Sequence, residues 1–501
     1  MAKKLLAIMC ALAMVLSLGT AVAESERPAA GVVEGVSYVS DHLPSASALY
    51  VSGESVTFDN AYFYGAGYAS DAQINAQLPN QYGMCSVVLG VGNGTDITLN
   101  NPTIVSDPES YANGVFAAGM AKITVNGGTI STDNSSGHGI DATFMAHVYA
   151  NDVTITTKGE TSGALATDFG GGFISGERLI CSTESGSSPG IFCAGSTVML
   201  LKECSFTTKT ATGIVVAHDH AVVVLDNCEV NAAGTAVSGL QALPSAASSD
   251  GSAFYAFGGK LTSRGGAIVG ESGGKTEVNL IGVECSGTSA IQAAGSSVGI
   301  LTVNLWDTEL VGDISCSSSC IVTVNIYAGG KLTGEVKSEG EVTINVYDGG
   351  EYVGSYEANQ AGEGEAAPVL GTFDDYLVSN WASGSQTWTA SRGNEYVTTI
   401  EPTIIENSAA SFVKEGAAAQ AFDLATFNPS EGGIDPSQLN VGGAYGFSVT
   451  EVFGGGEGDS SGESAGDSSG DSSGAPADFG DSSGDSSGAP ADSSGAPAGG
   501  Q

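Results

Sequence analysis

Histidines and aspartates gather in one stretch of this 501-residue chain. Four of its five histidines, His138, His147, His218 and His220, lie between positions 138 and 220, together with Asp141, Asp168 and Asp219. A carboxylate offers a hard anionic oxygen, and imidazole offers a donor or acceptor that switches near neutral pH. Such a set could hold a cation or a sugar hydroxyl, or exchange a proton. The run Gly170-Gly171-Gly172 beside Asp168 would let a ligand approach the backbone, because no Cβ stands in the way. The same residue types also make turns, since Asp bonds to nearby backbone at a bend. The ligand-binding candidates are therefore Asp168, His218, Asp219, His138 and Asp141. No catalytic residue, metal centre or cofactor is assigned.

Cysteine is the other reactive residue type. Cys204 and Cys228 stand in equivalent places on consecutive repeats, where Val153, Leu179 and Val283 stand elsewhere. The apolar company points to buried thiols. The spacing also allows a Cys204–Cys228 disulfide. No C-x-x-C pair exists, so a zinc ribbon is disfavoured.

These residues sit in a repeat of about 25 residues: apolar, any, apolar, often Asn or Asp, a short variable stretch, apolar. Its anchors are Phe63, Ile104, Ile130, Ile155, Ile180, Phe206, Val230, Leu261, Cys285, Leu310, Leu332 and Tyr352. Nine of the eleven spacings fall between 20 and 26, and the exceptions mark inserted loops near 67–83 and 239–252. Each unit holds short Val-, Ile- and Thr-rich alternating runs separated by Gly, Asn, Asp and Ser, which leaves no room for a helix. Lone units cannot bury their apolar face, but stacked units can. The expected fold is all-β: a single-stranded parallel β-helix, a solenoid of about twelve coils over 51–356. One column is expected to read Thr143, Asp168, Ala194, His218, and another Asn279, Asn304, Asn325, Asn345. A ligand is expected against coils 139–220 and not against the asparagine column.

The segments GHGIDATF (137–144), ALATDFGGGFISG (164–176) and SPGIFCAGSTVML (188–200) resemble a family of exported bacterial right-handed β-helix proteins. That family belongs to the pectin-lyase-like superfamily and is adhesin-like. The resemblance spans roughly 50–355. The right-handed coiling is what it implies, as is an adhesive use. Gly137-His138-Gly139 resembles one polygalacturonase motif, but the paired Asp-Asp and the Arg-x-Lys of those enzymes are missing.

The flanks differ from the repeats. Residues 1–23 read as a signal peptide, with Lys3 and Lys4 before an apolar run and Ala21-Val22-Ala23 at the cleavage site. Residues 24–50 are expected to cap the first coil. Residues 357–453, with Trp381 and Trp388, are expected to form a small β-rich cap. Residues 454–501 carry nine acids, no Lys or Arg, and one large apolar residue, Phe479. This composition predicts a disordered acidic tail. Without the leader, 13 basic residues stand against 55 acidic ones. Such an imbalance excludes nucleic acid as a partner and disfavours anionic lipid. No membrane span is expected after signal cleavage. The expected protein is secreted or displayed at the cell surface, a structural or binding rod for a glycan or a protein. The alternative is a carbohydrate-active lyase or hydrolase, for which the four mature arginines Arg27, Arg178, Arg264 and Arg392 supply no evident base.

Overall fold

A computed structural model describes residues 47–68, 83, 85–143, 145–168, 171–195, 197–217, 220–240, 251–295 and 298–360, and the strands Val32–Glu34, Ser37–Val39, Ser385–Thr389 and Glu395–Thr399. Residues 1–23, most of both expected caps, residues 454–501, most of both inserted loops, His218 and Asp219 lie outside the described residues. The described residues contain no helix, and thus none long and apolar enough to cross a membrane.

Each coil contributes one strand to each of three parallel sheets. The coil Lys122–Asn126, Thr129–Thr132, Ile140–Ala142 is representative: its strands lie in sheets I, II and III in that order. Sheet I has 14 strands, sheet II 10 and sheet III 12, and a 3-stranded sheet takes over from sheet II in the last coils. All pairings within these sheets are parallel, which makes the chain a parallel β-helix. Outside the solenoid, Ser385–Thr389 and Glu395–Thr399 pair as an antiparallel hairpin.

The repeat pattern now has a physical reading. The residue after the pattern's Asn or Asp position makes a left-handed turn between sheets I and II: Asn60, Asn101, Asp152, Asn227 and Asp307 all have φ between 47° and 57°. Short polar side chains tolerate this region best. The final apolar residue of the pattern points into the core. Phe63, Ile104, Ile130, Ile155, Phe206, Val230 and Leu261 form one internal column of sheet II. One anchor is corrected. Ile155 pairs with Cys181, and Cys181 pairs with Phe206, so the thiol occupies the core position expected of Ile180. Ile180 faces outward at 60% exposure. Hydropathy favoured the isoleucine, whereas the turn at Arg178 sets the phase.

A column of buried threonines accompanies the anchors. Thr132, Thr157, Thr183 and Thr208 close the turn towards sheet III by donating Oγ1–H to the carbonyls of Gly137, Ser162, Ser188 and Ala211, at 2.5 to 2.7 Å. These bonds give the buried hydroxyls a partner and tie down the turn, and the Ala211 carbonyl accepts the Gly234 amide as well. The asparagine column is present as expected. The Nδ2 of Asn304, Asn325, Asn345 and Asn359 each donates to Oδ1 of the preceding asparagine, at 2.8 to 3.1 Å.

The outer face of sheet I is apolar in its middle coils. Tyr149, Phe173, Val198, Leu200, Val224 and Phe257 form a second cluster there, separate from the core. Thr124 faces outward beside Tyr149 but is only 6% exposed. It is therefore a poor choice for a silent surface substitution.

Candidate functional site

In the expected column Thr143, Asp168, Ala194, His218, the first three are in register, since Asp141 pairs with Ala166 and Thr167 with Cys193. The fourth place is taken by Ala217, which pairs with Ala194. The turn from sheet III to sheet I spans three residues after Ala194 and four after Ala217. Counting back from an anchor across this turn slips by one.

Asp168 instead meets residues of the preceding coil. Asp168, His138 and Asp141 each place a ligand-type atom within 4.8 Å of the other two. His138 Nε2 lies 3.2 Å from Asp168 Oδ2. The Gly163 amide donates to His138 Nδ1 at 2.9 Å. Nδ1 is thus an acceptor without a proton, and Nε2 carries the proton and donates it to Asp168. The side chains of His138 and Asp168 are 6% and 13% exposed.

Asp141 is fully buried on sheet III, and neither of its carboxyl oxygens has a hydrogen-bond partner. It points away from the core between Ile140 and Ala142, and its strand neighbours are Phe116 and Ala166. Neither neighbour offers a donor. Burial, and then the charge of Asp168, push the Asp141 carboxyl well above the usual carboxylate range, while the Asp168 backbone opposes this weakly. Of the glycines beside Asp168, Gly170 lies outside the described residues and Gly172 serves packing. A Cβ on Gly172 would lie 2.1 Å from the Ala142 carbonyl oxygen.

The other histidines do not join this cluster. His147 starts a sheet I strand, between Lys122 and Phe173 on neighbouring coils. Its ring meets the Phe173 ring edge-on, with centroids 5.5 Å apart. Burial, and then Lys122, lower its pKa from 6.5 to about 4. The folded state therefore disfavours the proton that the unfolded chain accepts. Stability from this group is complete above pH 6.5 and is lost as pH falls towards 4. Since the residue is not fully buried, about 2 kcal/mol is the expected loss, below the full value of the shift. Urea melts at pH 7 and pH 4.5 should differ less for His147→Phe than for the wild type. An equal pH dependence would remove His147 from the account.

Cys204 and Cys228 are buried free thiols, as their apolar company suggested, and the disulfide that their spacing allowed is not formed. The Leu179 amide donates to Cys204 Sγ at 3.4 Å and the Cys204 amide to Cys228 Sγ at 3.2 Å. Thr308 plays the same part for Val283. The thiols thus satisfy backbone donors just past the left-handed turn. Burial pushes the Cys181, Cys193 and Cys228 thiols up, away from the reactive thiolate.

The described arginines are occupied. Arg178 engages Asp152, Glu177 and Asn151, and Arg264 donates to the Thr208 carbonyl. Neither is free to act as a base.

A second feature lies where no ligand was expected, on the late coils. A groove of about 270 Å³ opens on the outer face of sheet I. It is lined by Tyr255, Glu277, Asn279, Thr302, Asn304 and Trp306, with Asn325 and Tyr327 on the next coil. Trp306, Tyr327 and Tyr347 stack along the coils with ring centroids 4.5 Å apart. Both faces of the Tyr327 ring are taken up by its two neighbours, which leaves its edge for a ligand. The Trp306 indole Nε1 is buried without a hydrogen-bond partner. Sequence reading recognised the asparagine ladder but missed this groove. The signal was the aromatic residue two places after each of Asn304, Asn325 and Asn345.

Fold and site together define a parallel β-helix protein with a closed carboxyl–histidine cluster and an open amide–aromatic groove. Compared with known proteins, the chain matches no family model, no curated protein and no solved structure.

Proposed function

We propose that this is an exported binding protein, adhesin-like and of the pectin-lyase-like kind, that presents the outer face of sheet I to a neutral glycan. The groove at Asn304 and Trp306 carries this reading. Each ladder amide uses one N–H and one lone pair within the column. Asn304 gives its second N–H to Glu277 Oε1, whereas Asn325 and Asn345 keep a second N–H and a second lone pair to meet sugar hydroxyls. Glu277, which accepts one hydrogen bond from Asn304, adds further acceptor capacity at the groove. The excess of 55 acids over 13 bases in the chain without its leader repels a polyuronate and favours an uncharged chain. The exported setting rests on the leader and on the resemblance of the coils.

The carbohydrate-active alternative would use Asp141 and Asp168 as its carboxyl pair. Asp141 has no exposed surface through which to reach a polymer, so binding without cleavage is the better reading. The test is a glycan array with neutral and uronic-acid chains. Wild type should bind neutral chains and release no reducing ends. Thr302→Arg, which fills the groove, should weaken binding more than tenfold, while Thr156→Arg on sheet II should not. Retention of binding by Thr302→Arg, or a preference for polyuronates, would sink the proposal.

A further inference from the structure

We propose that Asp141 and Asp168 hold one hard divalent cation of the calcium class, with His138 orienting Asp168. The strongest observation is Asp141 itself. It is fully buried, both oxygens lack a partner, and it is aimed at a second carboxyl group. Buried polar groups nearly always find a partner, and an orphan of this kind marks a missing proton, water or ion. Among the described residues, no lysine or arginine pairs with either aspartate. The residue beside Asp141 on the next strand is the small, apolar Ala166, which offers the carboxyl no side-chain partner.

The donor set selects the kind of ion. His138 Nδ1 already accepts the Gly163 amide proton, so Nε2 keeps its own proton and faces Asp168. Ligation through Nε2 would require an imidazolate, which removes His138 from the ligand set and disfavours zinc. Two carboxylates remain. Oxygen-only sites suit Ca²⁺, which accepts mono- or bidentate carboxylates in irregular geometry and completes its shell with water. Mg²⁺ demands an octahedron and gives up its waters reluctantly. His138 then acts from outside the coordination shell, fixing Asp168 through a hydrogen bond. The inference rests on this geometry and not on the glycan reading.

The test uses the full chain, with about 1 mM CaCl₂ against EDTA. Wild type should gain several degrees in melting temperature. Calorimetry should resolve one calcium site above the weak background of the acidic 454–501 segment. Asp141→Asn and Asp168→Asn should each lose that site and the thermal gain but keep the background. His138→Gln should keep the stoichiometry and bind about tenfold more weakly. In EDTA, Asp141→Asn should be at least as stable as wild type, because the amide removes repulsion between two carboxyl groups. Should Asp141→Asn fail to fold, the more exposed Asp168→Asn decides alone. An unchanged wild-type melting temperature, or a calcium site retained in the Asn variants, overturns the proposal and leaves Asp141 as a protonated acid.

Discussion

Ile155→Asp should abolish the folded solenoid around its coil, whereas Thr156→Asp, one residue further, should leave the melting curve almost unchanged. Ile155 is fully buried and packs in register between Ile130 and Cys181. Losing a buried isoleucine side chain alone costs about 2–5 kcal/mol. The introduced carboxylate adds a larger penalty, because it is buried without a partner unless it takes up a proton. Together these approach the roughly 5–15 kcal/mol that stabilises a typical domain. In a repeat array each coil leans only on its neighbours, so the break should spread to adjoining coils. Thr156 shares the strand but faces out, half-buried, between Ser131 and Ser182. Far-UV circular dichroism against temperature checks both variants. Similar losses from the two would contradict the register of sheet II.

Gly128→Ala should be strongly destabilising, and Gly53→Ala should be mild. Both glycines have positive φ, +82° and +70°. A side chain in that region costs about 1–3 kcal/mol wherever it stands. At Gly53 a Cβ would meet nothing within 4 Å, so that conformational cost is the whole effect. At Gly128 a Cβ would lie 2.1 Å from the Pro102 carbonyl oxygen and 2.6 Å from its nitrogen. These are backbone atoms of the preceding coil, and the same carbonyl accepts the Thr129 amide at 2.9 Å. Relief requires the two coils to part and that hydrogen bond to break. Gly128→Ala should therefore lose at least about twice the stability that Gly53→Ala loses. Urea denaturation of the two variants measures the difference directly, and equal midpoints would refute the close approach of the coils.

The sequence alone determined the coil. Period-2 runs of Val, Ile and Thr, Asn or Asp at the left-handed turn and a spacing near 25 leave one architecture, because these signals are local and repeat along the chain. The asparagine ladder was legible for the same reason: equal spacing on stacked coils brings equal residues together. Ile180 against Cys181 shows where local signals end. Hydropathy ranks isoleucine above cysteine, but the phase is set by where the turn falls, and only the pairing of Ile155 with Cys181 reveals it. The candidate cluster fell beyond the same limit. Its members His138, Asp141 and Asp168 could be named, but their partners could not. The turn between sheets III and I changes length from coil to coil, and one residue of slip turns a side chain to the other face. Only the tertiary structure places Asp168 against His138 and Asp141 rather than in line with His218. It alone leaves Asp141 buried without a partner, because burial depends on what the neighbouring strands offer, here a phenylalanine and an alanine.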